Sequence, residues 1–411
     1  MSVFNLLPNF VLKYLSEFLD VKSLARFSLT NKRHLRIFSH APKTFKMIRT
    51  SFPEEQVDQS IEFYTRKKSK EDNANLLHFV SKDKRVSIEL IDYLVQNKCD
   101  LNLKDENIYM CAPIHYACEN KNLSLDIMRC MIENKCDLNL KNEFNYTPLH
   151  LAAMNEKITV EIIQCIVENK SNLNAKNKFD SIPLHLAAKN EMISPDAIKY
   201  LVENKSNINA RNEFNFAPLH FAAQNKNISL QLIDTLTTNQ SGLNLKENDQ
   251  HIALHFACEN KNVSIDIIKC LVERKSDLNA KSKTRGNLPI HYACINENIS
   301  LPILQYLVEK KSDLNSENNF GYTPLHFACN NGNLSLEIIH FLVENKADLN
   351  YFNREQITPL RYALNNNSFN GKMKARFGEK ISIKKMLKKL ERNPKEFLEK
   401  NQKKQEKCII F

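Results

Sequence analysis

Glycine is scarce in this chain: 6 residues in 411, and tryptophan is absent. Six glycines cannot build many phosphate-cradling loops, and neither G-x-G-x-x-G nor G-x-x-x-x-G-K-[ST] occurs, which argues against nucleotide-binding enzymes. No apolar run approaches the roughly 18 residues that a membrane span needs. The opening Met1-Ser2-Val3-Phe4 lacks a basic n-region, and Lys13 interrupts the apolar stretch that follows, so a signal peptide is not expected. The 11 cysteines include no C-x-x-C pair and no zinc-like spacing. They read as reduced, mostly small core residues of a cytoplasmic protein, and neither a metal nor a cofactor is expected.

What is present is a globular composition, 42% hydrophobic and 26% charged. Asparagine makes up about one residue in eight, an excess that composition assigns no more to chemistry than to codon usage. The net charge of +11 is unevenly spread. Residues 372–407 hold 14 Lys/Arg against 5 Asp/Glu, leaving only +2 for everything else. A nearly neutral body with a basic tail is not the pattern of a nucleic-acid-binding domain.

A 35-residue repeat dominates. Histidine stands at 78, 115, 150, 185, 220, 255, 291 and 326, spaced by 37, 35, 35, 35, 35, 36 and 35 residues, and a ninth unit has Arg361 at the equivalent place. Each unit reads as two short helices and a hairpin. Proline opens the first helix at 113, 148, 183, 218, 289, 324 and 359, where its missing N–H would be unpaired anyway. Ser87, Ser124, Thr159, Ser194, Ser229, Ser264, Ser300 and Ser335 stand as N-caps of the second. An apolar residue precedes each cap and another follows five positions later, as in Leu123 with Met128, Ile158 with Ile163 and Leu334 with Ile339, the spacing of a hydrophobic staple. The ninth unit carries an insertion of about 12 residues with Asn365-Asn366-Asn367, then a lysine-rich helix suited to a terminal repeat.

The strings Thr147-Pro148-Leu149-His150-Leu151-Ala152-Ala153 and Asp137-Leu138-Asn139 resemble the ankyrin repeat. The resemblance spans residues 76–392 and implies an all-α solenoid of about nine helix-turn-helix units with hairpin loops. It departs from the family in two ways. Each unit is two residues longer than the usual 33, between the helices. The glycine usual at the end of the second helix is replaced by Lys135, Lys170 and Lys205, with Asn134, Asn169 and Asn204 just before; asparagine is expected to take the left-handed conformation there. The repeated histidine reads as a loop-to-loop hydrogen bond. Successive copies would lie about 10 Å apart, too far to share a zinc ion with ligands at about 2 Å. Phe144, Phe179, Phe214 and Phe320 fall at equivalent hairpin tips. They either grip an extended peptide or pack against the next hairpin, and the sequence leaves both open.

Residues 1–50 stand apart as three short helices, with Val11, Leu12, Leu15, Phe18 and Leu19 on one apolar face. The string Leu6-Leu7-Pro8-Asn9-Phe10-Val11-Leu12-Lys13-Tyr14-Leu15, followed by Phe18-Leu19-Asp20 and Leu24, resembles an F-box, with Phe10 in place of the common acid. That resemblance implies docking onto a Skp-family adaptor of a cullin ubiquitin ligase core, with Leu7, Pro8, Leu12, Leu15 and Leu24 on or behind the docking face. Residues 51–75 read as a polar connector and 393–411 as a basic tail. Cys408-Ile409-Ile410-Phe411 has the form of a prenylation box, with terminal Phe favouring geranylgeranyl. One prenyl chain binds membranes reversibly, and the basic segment before it would add attraction to an anionic surface. The resulting expectation is no catalysis: a ligase substrate receptor that holds a protein target on its repeats, peripheral on the cytosolic face of a membrane. The alternative is a membrane-associated scaffold with no part in ubiquitination.

Overall fold

The computed structural model describes residues 77–78, 81–82, 88–96, 99–105, 108–238, 242–333 and 336–365. The expected F-box, connector, second helix of the ninth unit and prenylation box lie outside these residues. The described residues contain helices and no strand. The chain divides into two compact units, Met1–Ser206 and Asn207–Phe411.

In the first unit, α1 (Ile88–Gln96), α3 (Leu125–Glu133), α5 (Val160–Glu168) and α7 (Pro195–Glu203) are the second helices of successive repeats; α2 (Pro113–Glu119), α4 (Pro148–Met154) and α6 (Pro183–Lys189) are the first helices. α2, α4 and α6 pack in one row, and α1, α3, α5 and α7 in another. The second unit repeats the plan. Its first helices are α8 (Pro218–Gln224), α10 (Ala253–Glu259), α12 (Pro289–Ile295), α14 (Pro324–Asn330) and α16 (Pro359–Asn365). Its second helices are α9 (Leu230–Leu236), α11 (Ile265–Glu273), α13 (Leu301–Glu309) and α15 (Leu336–Glu344).

Helices of seven or nine residues would fray alone, so stacking must hold them. The sequence provides it. From α3 onward each second helix buries a stripe at i, i+1 and i+4, such as Ile127, Met128 and Met131, or Ile267, Ile268 and Leu271. Each first helix except the terminal α16 is almost wholly buried, with small residues (Ala152-Ala153, Ala187-Ala188, Ala257-Cys258) where neighbours approach closely. The expected starts are observed. Proline is the first residue of α2, α4, α6, α8, α12, α14 and α16. Ser124, Ser229 and Ser264 each accept the N–H three residues on, and Ser194 accepts that of Asp196, while Thr159 and Ser300 occupy the cap without a side-chain bond. Ser87 and Ser335 lie outside the described residues.

The helix ends correct one expectation. Lysine, not asparagine, takes the left-handed conformation: φ is 64° at Lys135, 65° at Lys170, 72° at Lys205, 74° at Lys275, 72° at Lys311 and 69° at Lys346. Asn134 has φ −87° and ψ 19°, and its amide donates to the Cys130 carbonyl at 2.8 Å; Asn169, Asn204 and Asn345 do the same to Cys165, Tyr200 and Phe341. Asparagine thus closes the last turn and passes the reversal to the next residue. There the Lys135 N–H bonds the Ile132 carbonyl and the Cys136 N–H bonds that of Met131, at 2.9 and 3.1 Å, which is a Schellman pair.

Candidate protein-binding surface

The repeated histidine is built into the first helix and the following hairpin together. Its Nδ1 receives the backbone N–H three residues earlier: Ala112 to His115 and Thr147 to His150 at 3.1 Å, Leu288 to His291 and Thr323 to His326 at 2.9 Å. A backbone amide can only donate, so Nδ1 is the acceptor and Nε2 carries the proton. Nε2–H then donates to carbonyls of the next hairpin. His115 reaches Leu140 and Tyr146 at 3.0 and 3.1 Å, His150 reaches Ser181 at 3.0 Å, and His255 reaches Ala280 and Asn287 at 3.0 and 3.2 Å. These rings are fully buried. Burial opposes the imidazolium and lowers His150, His255 and His291 to about 4, with His115, His220 and His326 displaced the same way.

Asparagine links repeats in the same way at two further positions and closes hairpins at a third, which gives the excess a chemical role. The asparagine after the first helix bridges backwards: Asn155 donates to the Cys118 and Asn120 carbonyls at 2.9 and 3.0 Å, Asn190 to Ala153 and Asn155 at 3.0 and 3.1 Å, and Asn296 to Cys258 and Asn260 at 3.0 and 2.9 Å. The asparagine of the D-L-N string bridges forwards. Asn139 donates to the Lys170 carbonyl at 3.1 Å and accepts the Asn172 N–H at 2.6 Å; Asn244 does the same to Lys275 and Asp277. The third, at 142, 177, 212, 318 and 353, closes its own hairpin: one carboxamide oxygen accepts the N–H groups two and four residues on. An Asn155→Ala substitution removes two buried hydrogen bonds to carbonyls; it is expected to destabilise the first unit by about 2–3 kcal/mol, read as a lower urea midpoint with unchanged slope.

The hairpin tips are what these ladders position. The tip carbonyl of one repeat accepts an N–H from the next: Tyr109 from Glu143 at 2.8 Å, Phe144 from Lys178 at 2.9 Å, Phe214 from Asn248 at 3.3 Å and Phe320 from Arg354 at 3.1 Å. The residue after each tip has positive φ, for example 58° at Asn145, 56° at Asp180, 61° at Asn215 and 78° at Gly321. A Cβ on Gly321 would also meet the Arg354 nitrogen at 2.8 Å, so this tip requires glycine.

The four tip phenylalanines do not share one environment. Phe144 is half-buried, 5.9 Å from the Tyr109 ring, with the Lys178 ammonium 5.3 Å over its face and paired with Glu143 at 2.6 Å. Phe179, Phe214 and Phe320 are 43%, 55% and 51% exposed. Tyr109, 51% exposed, is a further tip residue in the first unit. It stands 35 residues before Phe144, in the same register, but as a tyrosine it falls outside the phenylalanine pattern; the positive φ of Met110 confirms the tip position. In the second unit the same place is taken by Asp249, Arg285 and Glu355, so the tips are not uniformly aromatic.

The fifth hairpin departs from the rest. Glu247 replaces the closing asparagine and accepts the Asp249 and His251 N–H groups at 2.9 and 3.0 Å. The His251 ring bridges Glu247 and the Tyr292 hydroxyl at 2.8 and 2.7 Å. Among the described residues no group of three or more His, Cys, Asp or Glu is placed to hold a metal, and no helix is long and apolar enough to cross a membrane. Leu7, Pro8, Leu12, Leu15, Leu24 and Cys408 lie outside the described residues.

A family model described as ankyrin repeats (3 copies) matches residues 76–177, 114–212, 149–236, 219–318 and 297–371. No curated protein matches the chain. The matched stretch covers well over half of the 411 residues and coincides with the stacked helix pairs, so the chain belongs to the ankyrin repeat family, whose repeats serve protein binding.

Proposed function

We propose that this protein is the substrate-recognition subunit of a Skp-cullin-F-box type ubiquitin ligase, and that its ankyrin repeats hold the target protein. The observation that carries the target-binding half is the set of exposed hairpin tips fixed by backbone bonds between repeats. A rigid aromatic tip presents apolar area to a partner with little ordering entropy left to lose on binding. Phe179, Phe214 and Phe320, with Phe144 and Tyr109, are the proposed target contacts. The adaptor-docking half rests on the F-box resemblance, with Leu7, Pro8, Leu12, Leu15 and Leu24 as the proposed docking residues. The protein itself does no chemistry in this reading. It raises the local concentration of target beside a ubiquitin-loaded enzyme.

The Cys-aliphatic-aliphatic-Phe motif at Cys408, preceded by the net +9 segment, supports a prenylated tether to an anionic cytosolic membrane surface. The test has two arms. Full-length protein is expected to co-purify with a Skp-family adaptor, and Leu7→Ala/Pro8→Ala is expected to lose it; no adaptor in the wild-type pull-down leaves the scaffold reading in its place. Cys408→Ser is expected to move the protein from the membrane fraction to the soluble one, and equal partitioning removes the tether.

A further inference from the structure

The residue two places after the D-L-N asparagine is basic in six successive hairpins: Lys104, Lys141 and Lys176 in the first unit, Arg211, Lys246 and Lys281 in the second. The same position then becomes Glu317 and Phe352, so the second unit has a basic column of defined length, three residues. All three side chains are exposed. Among the described residues neither Arg211 nor Lys246 has an ion pair, and the Lys281 ammonium lies against the Glu317 carbonyl oxygen at 3.4 Å. Two carboxylates of these hairpins are used internally. Glu247 is buried and holds its own turn, and Asp249 accepts the Thr284 N–H at 2.7 Å and its hydroxyl. The column's charge is left for something else to neutralise.

The same hairpins and the first helices beside them carry a chain of rings. Phe216 lies 5.2 Å from Phe221 and 5.7 Å from Phe256, and His251 lies 5.4 Å from Phe256 and 5.5 Å from Tyr292. Phe216, Phe221 and Phe256 are half-buried, leaving apolar area facing solvent. In the first unit the equivalent positions include Tyr116 but then the aliphatic Leu151 and Leu186, whereas in the second they are Phe221, Phe256, Tyr292, Phe327 and Tyr362. The second unit thus sets its basic column beside a ring in every repeat.

We infer that Arg211, Lys246 and Lys281, with the rings of Phe216, Phe221 and Phe256, form a site for an extended acidic peptide with a carboxylate at every third residue and apolar residues between. Spacing selects this ligand. Packed helices stack about 10 Å apart, and a chain in the extended polyproline II form advances about 3.1 Å per residue with three residues per turn, so three residues match one repeat and every third side chain returns to the same side. Carboxylates at that interval meet successive basic residues while the intervening side chains meet the rings. This names the class of target for the surface proposed above and rests on reading the repeats as protein-binding.

The test is fluorescence anisotropy of the full-length protein with a labelled 12-residue peptide carrying Asp at every third position and Leu or Phe between. Arg211→Glu/Lys246→Glu/Lys281→Glu is expected to weaken binding at least tenfold at 50 mM salt. Raising the salt to 500 mM is expected to weaken the wild type more than the variant, because exposed charges are screened. A peptide of the same composition with Asp at every second position is expected to bind at least fivefold more weakly. Equal binding of the respaced peptide overturns the site. So does an equal loss from reversing Lys104, Lys141 and Lys176 instead, or tighter binding of a 12-nucleotide single-stranded RNA. Adaptor co-purification, measured on the same wild-type protein, separates the two proposals: no peptide binding by the wild type with the adaptor still captured removes only this target class.

Discussion

Lowering the pH from 7 to 5 is expected to destabilise the repeats by about 2 kcal/mol for each of His150, His255 and His291, some 6 kcal/mol in all. In the folded protein these rings titrate near 4 because burial opposes their charge. In the unfolded chain they titrate near 6.5. Between those values the unfolded chain takes up protons that the folded one refuses, so stability present above pH 6.5 is lost as pH falls toward 4. The geometry shows why the fold cannot adapt. A proton arriving on the ring must sit on Nδ1, which already faces the N–H of Thr147, Ile252 or Leu288. Two donors would then oppose each other in a dry site. Exposed carboxylates do not confuse the window, since Glu143, Glu156 and Glu297 are held below the usual range by hydrogen bonds from Lys178, Lys121 and Lys261. Two of the three histidines belong to the second unit, which should therefore unfold at higher pH than the first. Urea midpoints by circular dichroism at pH 7, 6 and 5 check this. His255→Gln is expected to be less stable at pH 7 and to show a flatter pH dependence, by up to about 1.4 kcal/mol per pH unit. An unchanged slope would sink the explanation.

Much of this was legible before any coordinates. Proline at the first helical position and serine or threonine before the second helix depend on residues within a few positions of each other, and the local rules place them where they are found. The histidine link was readable because eight copies at one spacing leave few other meanings. What escaped depends on partners a whole repeat away. Nothing near Asn155 in sequence announces that its amide spans the Cys118 and Asn120 carbonyls, 37 and 35 residues earlier. The left-handed lysine escaped for a related reason. Propensity favours asparagine for that conformation, but Asn134 is committed to the Cys130 carbonyl, and the reversal falls to its neighbour. Tyr109 keeps the 35-residue register of Phe144 but is a tyrosine, so a phenylalanine pattern passes over it, and Glu247–His251 stands in only one hairpin.

Replacing the six left-handed lysines with glycine is the second large effect. Lys135→Gly, Lys170→Gly, Lys205→Gly, Lys275→Gly, Lys311→Gly and Lys346→Gly each relieve a Cβ clash that costs about 1–2 kcal/mol in this conformation. Glycine returns part of that through the greater freedom of the unfolded chain, leaving a net gain of about 0.5–1 kcal/mol per site. Contributions in stacked repeats are close to additive, so the six together are expected to stabilise by roughly 3–6 kcal/mol. Lysine also has a compensating role, because its ammonium sits near the negative end of the second helix; losing it costs a few tenths of a kcal/mol. Six parallel alanine substitutions separate the two effects. Alanine removes the charge but keeps the Cβ, so it should give no gain, while the glycine-minus-alanine difference reads the backbone strain alone. If alanine stabilises as much as glycine, the lysines were burdened by mutual repulsion and the left-handed turn was never the cost.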